Sequence, residues 1–377
     1  MLLTARYQVV DFEEAARADI LSELKRWSED RPEVAVRLIH AEAGVGKTRL
    51  GIKWTQQRRD AGWSAGFLVP HPPEDWFERL WKTNKPLAIV IDYAESRTDL
   101  GDVLLRILRY WQQAESGSLH RLRILLLARN NGDWWASLKA HDTALGNWLE
   151  TTLPSQLTAL AKPTSREQLF RRAVDAFAKS LKKSVPARPS PALTDPLFDR
   201  ALYLYMAALA FVEGWELTPN NLIDVVLDHE ERFWFARTQA SNNKPPDERK
   251  SFARQLVAAA TLRGGIFERS AVRAIAERFL ERTPSMEEDD LIRRLQQIYQ
   301  RADDSPGRDS TEQRFLPALE PDLLGEGMVL RVVNPKLDGD KVSTDWIERV
   351  FPPSEHEEAV ITGFTVLGRA SAAKPAP

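Results

Sequence analysis

The stretch Val34-Ala35-Val36-Arg37-Leu38-Ile39-His40-Ala41-Glu42-Ala43-Gly44-Val45-Gly46-Lys47-Thr48-Arg49-Leu50 decides how the rest of the chain is read. A mostly apolar run predicts a buried strand. It breaks into a turn of small residues and restarts as a helix at Lys47-Thr48. The pattern is [Ala/Gly]-x-x-x-x-Gly-Lys-Thr, a phosphate-binding loop with Ala41 in its first place. Gly44 and Gly46 let backbone N–H groups converge on an anion with no Cβ in the way. The helix that follows turns its positive end to the phosphates. Lys47 offers a point charge to the β/γ oxygens, and Thr48 offers a hydroxyl to Mg²⁺. The expected cradle for a nucleotide is therefore Ala43, Gly44, Val45, Gly46, Lys47, Thr48 and Arg49.

A second stretch, Lys85-Pro86-Leu87-Ala88-Ile89-Val90-Ile91-Asp92-Tyr93-Ala94-Glu95, completes the chemistry. Its consecutive apolar residues predict a parallel strand buried on both faces. The strand ends on an acid, where a doubly wound sheet places its site. Asp92 is expected to hold the Mg²⁺ through water. Glu95, one turn on, is expected to orient or deprotonate the attacking water. The bland alternatives are a helix cap for Asp92 and a solvated loop acid for Glu95. Leu122 to Arg129 reads as another buried strand ending in a charge. Arg129 is placed to read a γ-phosphate; a surface arginine at a strand end fits equally well.

At 377 residues the chain can hold two or three domains with sizeable cores. The formal net charge of −2 gives no sequence-wide basic field, so nucleic acid is not an expected partner. The absence of cysteine excludes disulfides and thiol metal sites. Met1 to Val10 lacks the layout of a signal peptide. The longest apolar run, Leu202 to Val212, is too short and too polar to span a bilayer. A soluble cytoplasmic protein with no membrane partner is expected.

The chain opens with a leader helix, Phe12 to Glu29, carrying Ile20, Leu21, Leu24 and Trp27 on one face. Trp63 to Val69 predicts a strand, Trp76 to Trp81 a short helix, Asp102 to Gln112 an amphipathic helix, and Thr152 to Ala161 a fifth strand. Residues 35–161 thus read as repeating strand–helix units, an α/β three-layer P-loop core with a parallel sheet. Helices follow over Glu167–Lys182, Phe198–Phe211, Asn220–Thr238, Ser251–Leu262, Ala271–Arg282 and Glu288–Arg301. Polar linkers are read at Ser184–Pro196 and Ser241–Pro246, and a charged flexible loop at Ala302–Glu312. A short strand at Met328–Val333 after these helices suggests a winged-helix-like module. Trp346 to Arg369 reads as helical. The expected domains are a leader helix (1–33), the P-loop NTPase core (34–162), an α-helical lid (163–240), the winged-helix-like domain (247–335) and a C-terminal helix and tail (336–377).

Further stretches join the loop and the acid strand: Leu125-Leu126-Leu127-Ala128-Arg129 with Trp134-Trp135, His229-Glu230-Glu231-Arg232-Phe233-Trp234, and Leu316 to Glu326. The ordered set resembles STAND-class P-loop ATPases, signal-transducing ATPases related to the NACHT and AAA+ groups. Bacterial members followed by tetratricopeptide repeats are the nearest match. The resemblance implies an ATPase of slow turnover with ATP/ADP and Mg²⁺ as cofactors. ADP would hold a closed state, and ATP an open one that forms a homo-oligomer. Effector and sensor (repeat) modules would sit in the same chain or in separate ones, in bacterial signalling or anti-phage defence. By that likeness Lys47, Thr48, Asp92 and Glu95 take the roles argued above, and Arg129 that of a sensor. His229 would contact the nucleotide or brace the lid.

Two departures stand out. Such proteins carry Phe-x-Gly-Arg before the leader helix, where this chain has Asp11-Phe12-Glu13-Glu14-Ala15. Their lid often packs a Pro on the adenine, where this chain has Ala in Arg200-Ala201-Leu202-Tyr203. Competing readings are a non-hydrolysing nucleotide-binding scaffold, a DNA-binding AAA+ regulator and a small-molecule phosphotransferase. The DNA reading needs a basic recognition helix. Arg273, Arg278 and Arg282 would supply it, diluted by Glu277 and Glu281. The large helical segment after residue 165 disfavours the phosphotransferase.

Overall fold

The computed structural model describes residues 2–30, 33–69, 72–83, 85–113, 121–150, 152–216, 218, 221–235, 247–300, 314–334, 345–353, 355 and 357–372. The chain divides into two compact units, Ala5–Val212 and a second one from Glu213 onward that includes the first few residues.

The first unit is built on five parallel strands: β1 (Val34–His40), β2 (Ser64–Phe67), β3 (Leu87–Ile91), β4 (Leu122–Ala128) and β5 (Ser155–Gln156). They are ordered β2-β3-β4-β1-β5. The register sets Val36 beside Ile124 and Ile89 beside the same Ile124. Every residue of β3 and β4 is buried, as parallel strands covered on both faces require.

Period-two alternation sends the strand residues into two separate cores. Val34, Val36, Leu38, Leu87, Ile89, Ile91, Leu122, Ile124 and Leu126 face one core. That core includes side chains of α3 (Trp76–Trp81), α4 (Leu100–Gln113), α5 (Asp133–Ala140) and α6 (Thr143–Glu150). Ile39, Ala88, Val90, Leu125 and Leu127 face the other, with Leu21 and Leu24 of α1 (Ala18–Glu29) and Leu50 and Trp54 of α2 (Lys47–Asp60). The result is the three-layer P-loop architecture. Two more helices, α7 (Arg166–Leu181) and α8 (Ala201–Glu213), belong with this sheet; the unit boundary falls at the end of α8.

The expected strand Thr152–Ala161 shrinks to the two residues of β5, which pair with Ile39 and His40. Pro154 just before it has no N–H for a ladder. One bond beyond it, from the Leu157 N–H to the His40 carbonyl at 2.8 Å, ends the contact. The leader also departs slightly: a 3₁₀ turn, Ala15–Arg17, precedes α1.

The second unit is helical: α9 (Leu222–Phe235), α10 (Asp247–Leu262), α11 (Arg269–Leu280), α12 (Met286–Gln300), α13 (Asp322–Val333), α14 (Trp346–Val350) and α15 (Glu357–Ala372). The strand expected at Met328–Val333 is helix, the C-terminal half of α13. The run Val329…Val332-Val333 has strand propensity, but tertiary packing overrides it. Leu324, Met328 and Arg331 are buried at helical spacing, and Arg331 donates to Asp228 at 2.8 Å and Glu231 at 2.9 Å on α9. β-type pairing among this unit's described residues is a single antiparallel bridge, Ile266 with Leu316. The winged-helix-like expectation loses its terminal strand with this. The expected linker Ser241–Pro246 and loop Ala302–Glu312 lie outside the described residues. Among the described residues no helix is long and apolar enough to cross a membrane.

Candidate functional site

The carboxyl ends of β1, β3 and β4 lie along one edge of the parallel sheet, with β4 between the other two. The loop after β1, the acid after β3 and Arg129 after β4 therefore meet there by topology. After β1 the chain turns through Gly44 at φ 83° and Gly46 at φ 105°, both in the left-handed region, and enters α2 at Lys47. This is the strand–turn–helix the motif requires.

Lys47 is buried and its Nζ donates to the carbonyls of Ala41 (2.7 Å) and Glu42 (3.1 Å), folding over the loop. In the next residue, Thr48 Oγ1 donates to Asp92 Oδ2 at 2.8 Å. The other carboxylate oxygen, Asp92 Oδ1, accepts from the Tyr93 N–H at 3.1 Å. Glu95 sits in the 3₁₀ turn Ala94–Ser96. Both its carboxylate oxygens are shielded from solvent and have no hydrogen-bond partner among the described residues. Orphaned carboxylate oxygens are costly unless something arrives to meet them. At the end of β1, burial and the Lys47 charge push the His40 imidazole below its usual pKa, which keeps it neutral at pH 7.

Val45 is buried in the core beneath the loop, and Ala43 is half-buried. Arg49 turns away from the loop: its guanidinium donates to the carbonyls of Ala5 (3.2 Å) and Val10 (2.7 Å), stapling the N-terminal segment to α2. Arg129 follows β4 and is half-buried. His229 belongs to the second unit, where its ring lies 4.4 Å from that of Trp215.

Three contacts with the loop were not legible in the sequence. The Leu202 N–H, at the start of α8, donates to the Gly44 carbonyl at 3.0 Å. Arg200 next to it pairs with Glu42 and stacks over Tyr203 at 5.7 Å. Arg17, in the turn before α1, reaches the loop carbonyl of Val45 at 2.8 Å. The Phe-x-Gly-Arg pattern is absent, yet an arginine from the leader does touch the loop. Its signal was a lone Arg after two alanines at the start of the leader helix, too weak to single out.

The residues fit a Mg²⁺-nucleotide. A hydroxyl and a carboxylate, hard oxygen ligands, are side by side next to a lysine and a helix N-terminus. Among the described residues no group of three or more His, Cys, Asp or Glu side chains is placed to hold a metal by itself.

No family model matches the chain, and no curated protein matches it. Among solved structures it is similar to the ORC2 protein of Aeropyrum pernix in ADPNP–ADP complexes, at 14% identity and TM-score 0.35, over 85% of this chain and 94% of that one. It is similar to Cdc6p of Pyrobaculum aerophilum at 13% identity and TM-score 0.36, over 87% and 100%. A third is the replication initiator DnaA bound to AMPPCP and single-stranded DNA, at 12% identity and TM-score 0.33, over 80% and 93%. These comparisons lend no support to the expectation that nucleic acid is not a partner. Likeness at this level adds nothing to the site. What stands on the chain's own geometry is an α/β protein with the fold of a P-loop NTPase.

Proposed function

We propose that the chain is a Mg²⁺-dependent nucleotide-binding P-loop ATPase working as a switch of slow turnover. The observation that carries this is the Thr48–Asp92 hydrogen bond at 2.8 Å beside the left-handed Gly44 and Gly46 turns. Bound Mg²⁺ would neutralise phosphate charge and polarise the bond to be cleaved. Lys47 would exchange its two carbonyl partners for phosphate oxygens. Glu95, with no competing partner among the described residues, is suited to take a proton from water. Arg129 in this reading senses the γ-phosphate from the end of β4.

In this reading the expected lid (163–240) closes over the site, and within the first unit the Leu202–Gly44 bond ties its helix α8 to the loop. The finer reading is a STAND-type switch, closed with ADP and open and homo-oligomeric with ATP. It would serve bacterial signalling or anti-phage defence with effector and sensor modules, and it rests on the motif resemblance. The test is calorimetry of the full chain with ADP and ATP, with and without Mg²⁺, alongside phosphate release. Binding that Lys47→Ala abolishes supports the proposal. Undiminished uptake by that variant overturns it, and binding without phosphate release in any state favours a scaffold.

A DNA-binding regulator is the second reading. Its basic stripe, on α11 and just beyond it, is already engaged: Arg273 lies 3.4 Å from Asp289, Arg282 is 2.7 Å from Glu288, and Arg278 donates to the Arg349 carbonyl at 2.7 Å. A duplex would have to displace these partners. Anisotropy with a labelled duplex over a salt series decides, since phosphate contacts give steep salt dependence.

A further inference from the structure

Helix α1 is held at both ends by a buried arginine that donates to backbone carbonyls. At its C-terminal end, Arg123 of β4 donates to the carbonyls of Trp27 (2.7 Å) and Glu33 (2.8 Å), and also to that of Asp30. At its N-terminal end, Arg17 is 4% exposed. Its Nη1 donates to the Thr158 carbonyl at 2.7 Å and its Nη2 to the Val45 carbonyl at 2.8 Å. Among the described residues Arg123 donates to the leader and to its neighbour Leu122. Arg17 instead bridges two parts of the site: the phosphate loop, and the connector that leaves β5 toward α7.

A trans peptide points its C=O and its N–H to opposite sides. A bond that pins the Val45 carbonyl therefore also aims the Gly46 N–H, away from Arg17. The preceding peptide is pinned in the same way, because the Gly44 carbonyl accepts from the Leu202 N–H at 3.0 Å. Two successive loop peptides are thus oriented from outside, one by the leader and one by α8. A flexible loop of small residues would otherwise lose conformational entropy on gathering its N–H groups around an anion. Anchored peptides have that cost met in advance.

We propose that Arg17 is a positioning residue of the nucleotide site: by holding the Val45 carbonyl it presets the Gly46 N–H toward the phosphates and ties the loop to the connector before the lid. The proposal rests on the phosphate-site reading above, and Arg17 acts through the loop peptide without touching the nucleotide. Burial lowers the pKa of its guanidinium from the usual arginine value. A phosphate chain close by would favour the charged form.

The experiment compares Arg17→Gln and Arg17→Ala with Arg123→Gln in the full chain, measuring ADP affinity by calorimetry and thermal unfolding without nucleotide. Arg17→Gln is expected to weaken ADP binding at least about tenfold, or about 1.4 kcal/mol. Millimolar guanidinium is expected to restore binding to Arg17→Ala by refilling the vacated volume. Arg123→Gln is expected to lower the melting temperature while the folded protein keeps its ADP affinity within about twofold. Parent-like ADP affinity in both Arg17 variants overturns the proposal. So does a loss of affinity that merely tracks melting temperature across all three variants. A parent protein that binds neither ADP nor ATP overturns the phosphate-site reading itself, and the proposal with it.

Discussion

Thr48 and Asp92, 44 residues apart in the chain, share a 2.8 Å hydrogen bond from Oγ1 to Oδ2. One lies in the first turn of α2, after β1, and the other directly follows β3; β4 lies between those two strands. The bond joins the phosphate loop to the acid expected to serve the metal. Asp92→Asn keeps the shape and removes the charge. It is expected to abolish the gain that Mg²⁺ gives to ATP affinity, about ten- to a hundredfold or 1.4–2.7 kcal/mol, and to leave metal-free binding unchanged. Calorimetry with Mg²⁺ and with EDTA checks this; an equal loss in both would mean that Asp92 braces Thr48 and nothing more.

Glu95 carries two shielded oxygens with no hydrogen-bond partner among the described residues. Glu95→Gln is expected to lower turnover about 10²- to 10⁴-fold, with ADP and ATP affinity retained. Single-turnover phosphate release is the measurement. A parent-like rate removes Glu95 from the chemistry.

Gly46 sits at φ 105°, and a Cβ added there would come no nearer than 4.0 Å to any neighbour, the Arg17 Nη2. The cost of Gly46→Ala is therefore conformational, about 1–2 kcal/mol. Gly214, at φ 80° with open space around it, provides the contrast. Both alanine variants are expected to lower the urea midpoint. Only Gly46→Ala is expected to weaken ADP binding as well.

Glu288 accepts from Arg282 and from the Ser285 N–H, at 2.7–2.8 Å. Chiefly through the Arg282 hydrogen bond, its carboxyl is pushed from 4.5 down to about 2. A carboxylate depressed in the folded state stabilises the fold above its unfolded pKa. That contribution is lost as pH falls from about 4.5 toward about 2. Urea midpoints across this window are expected to drop less steeply in Arg282→Gln than in the parent. Identical slopes would show that the pair does not couple to folding.

The phosphate loop and the acid strand were readable because their signals are local. A buried apolar run, small residues with free φ and a Lys-Thr helix start are all set by neighbours in sequence. The five apolar residues Leu87–Ile91 are buried on both faces, as their continuity implies. Propensity misled where packing outweighed it. The valines near Val333 look like a strand, yet helical spacing buries Met328 and Arg331, the latter against acids on α9. Pro154 kept the fifth strand from starting at Thr152, and its pairing with β1 ends with the Leu157 N–H, so only Ser155 and Gln156 of the expected stretch are strand.

The order of residues alone determined that a strand, a turn of small residues and a helix would follow one another, the layout expected of an anion-binding loop, and that Asp92 would follow a buried parallel strand. Only the folded chain decided what orients that loop. Arg17 reaches carbonyls 28 and 141 positions away, and Leu202 N–H meets the Gly44 carbonyl. Backbone carbonyls are the same in every residue, so such partnerships leave no mark in the sequence and exist only where packing brings the chain together.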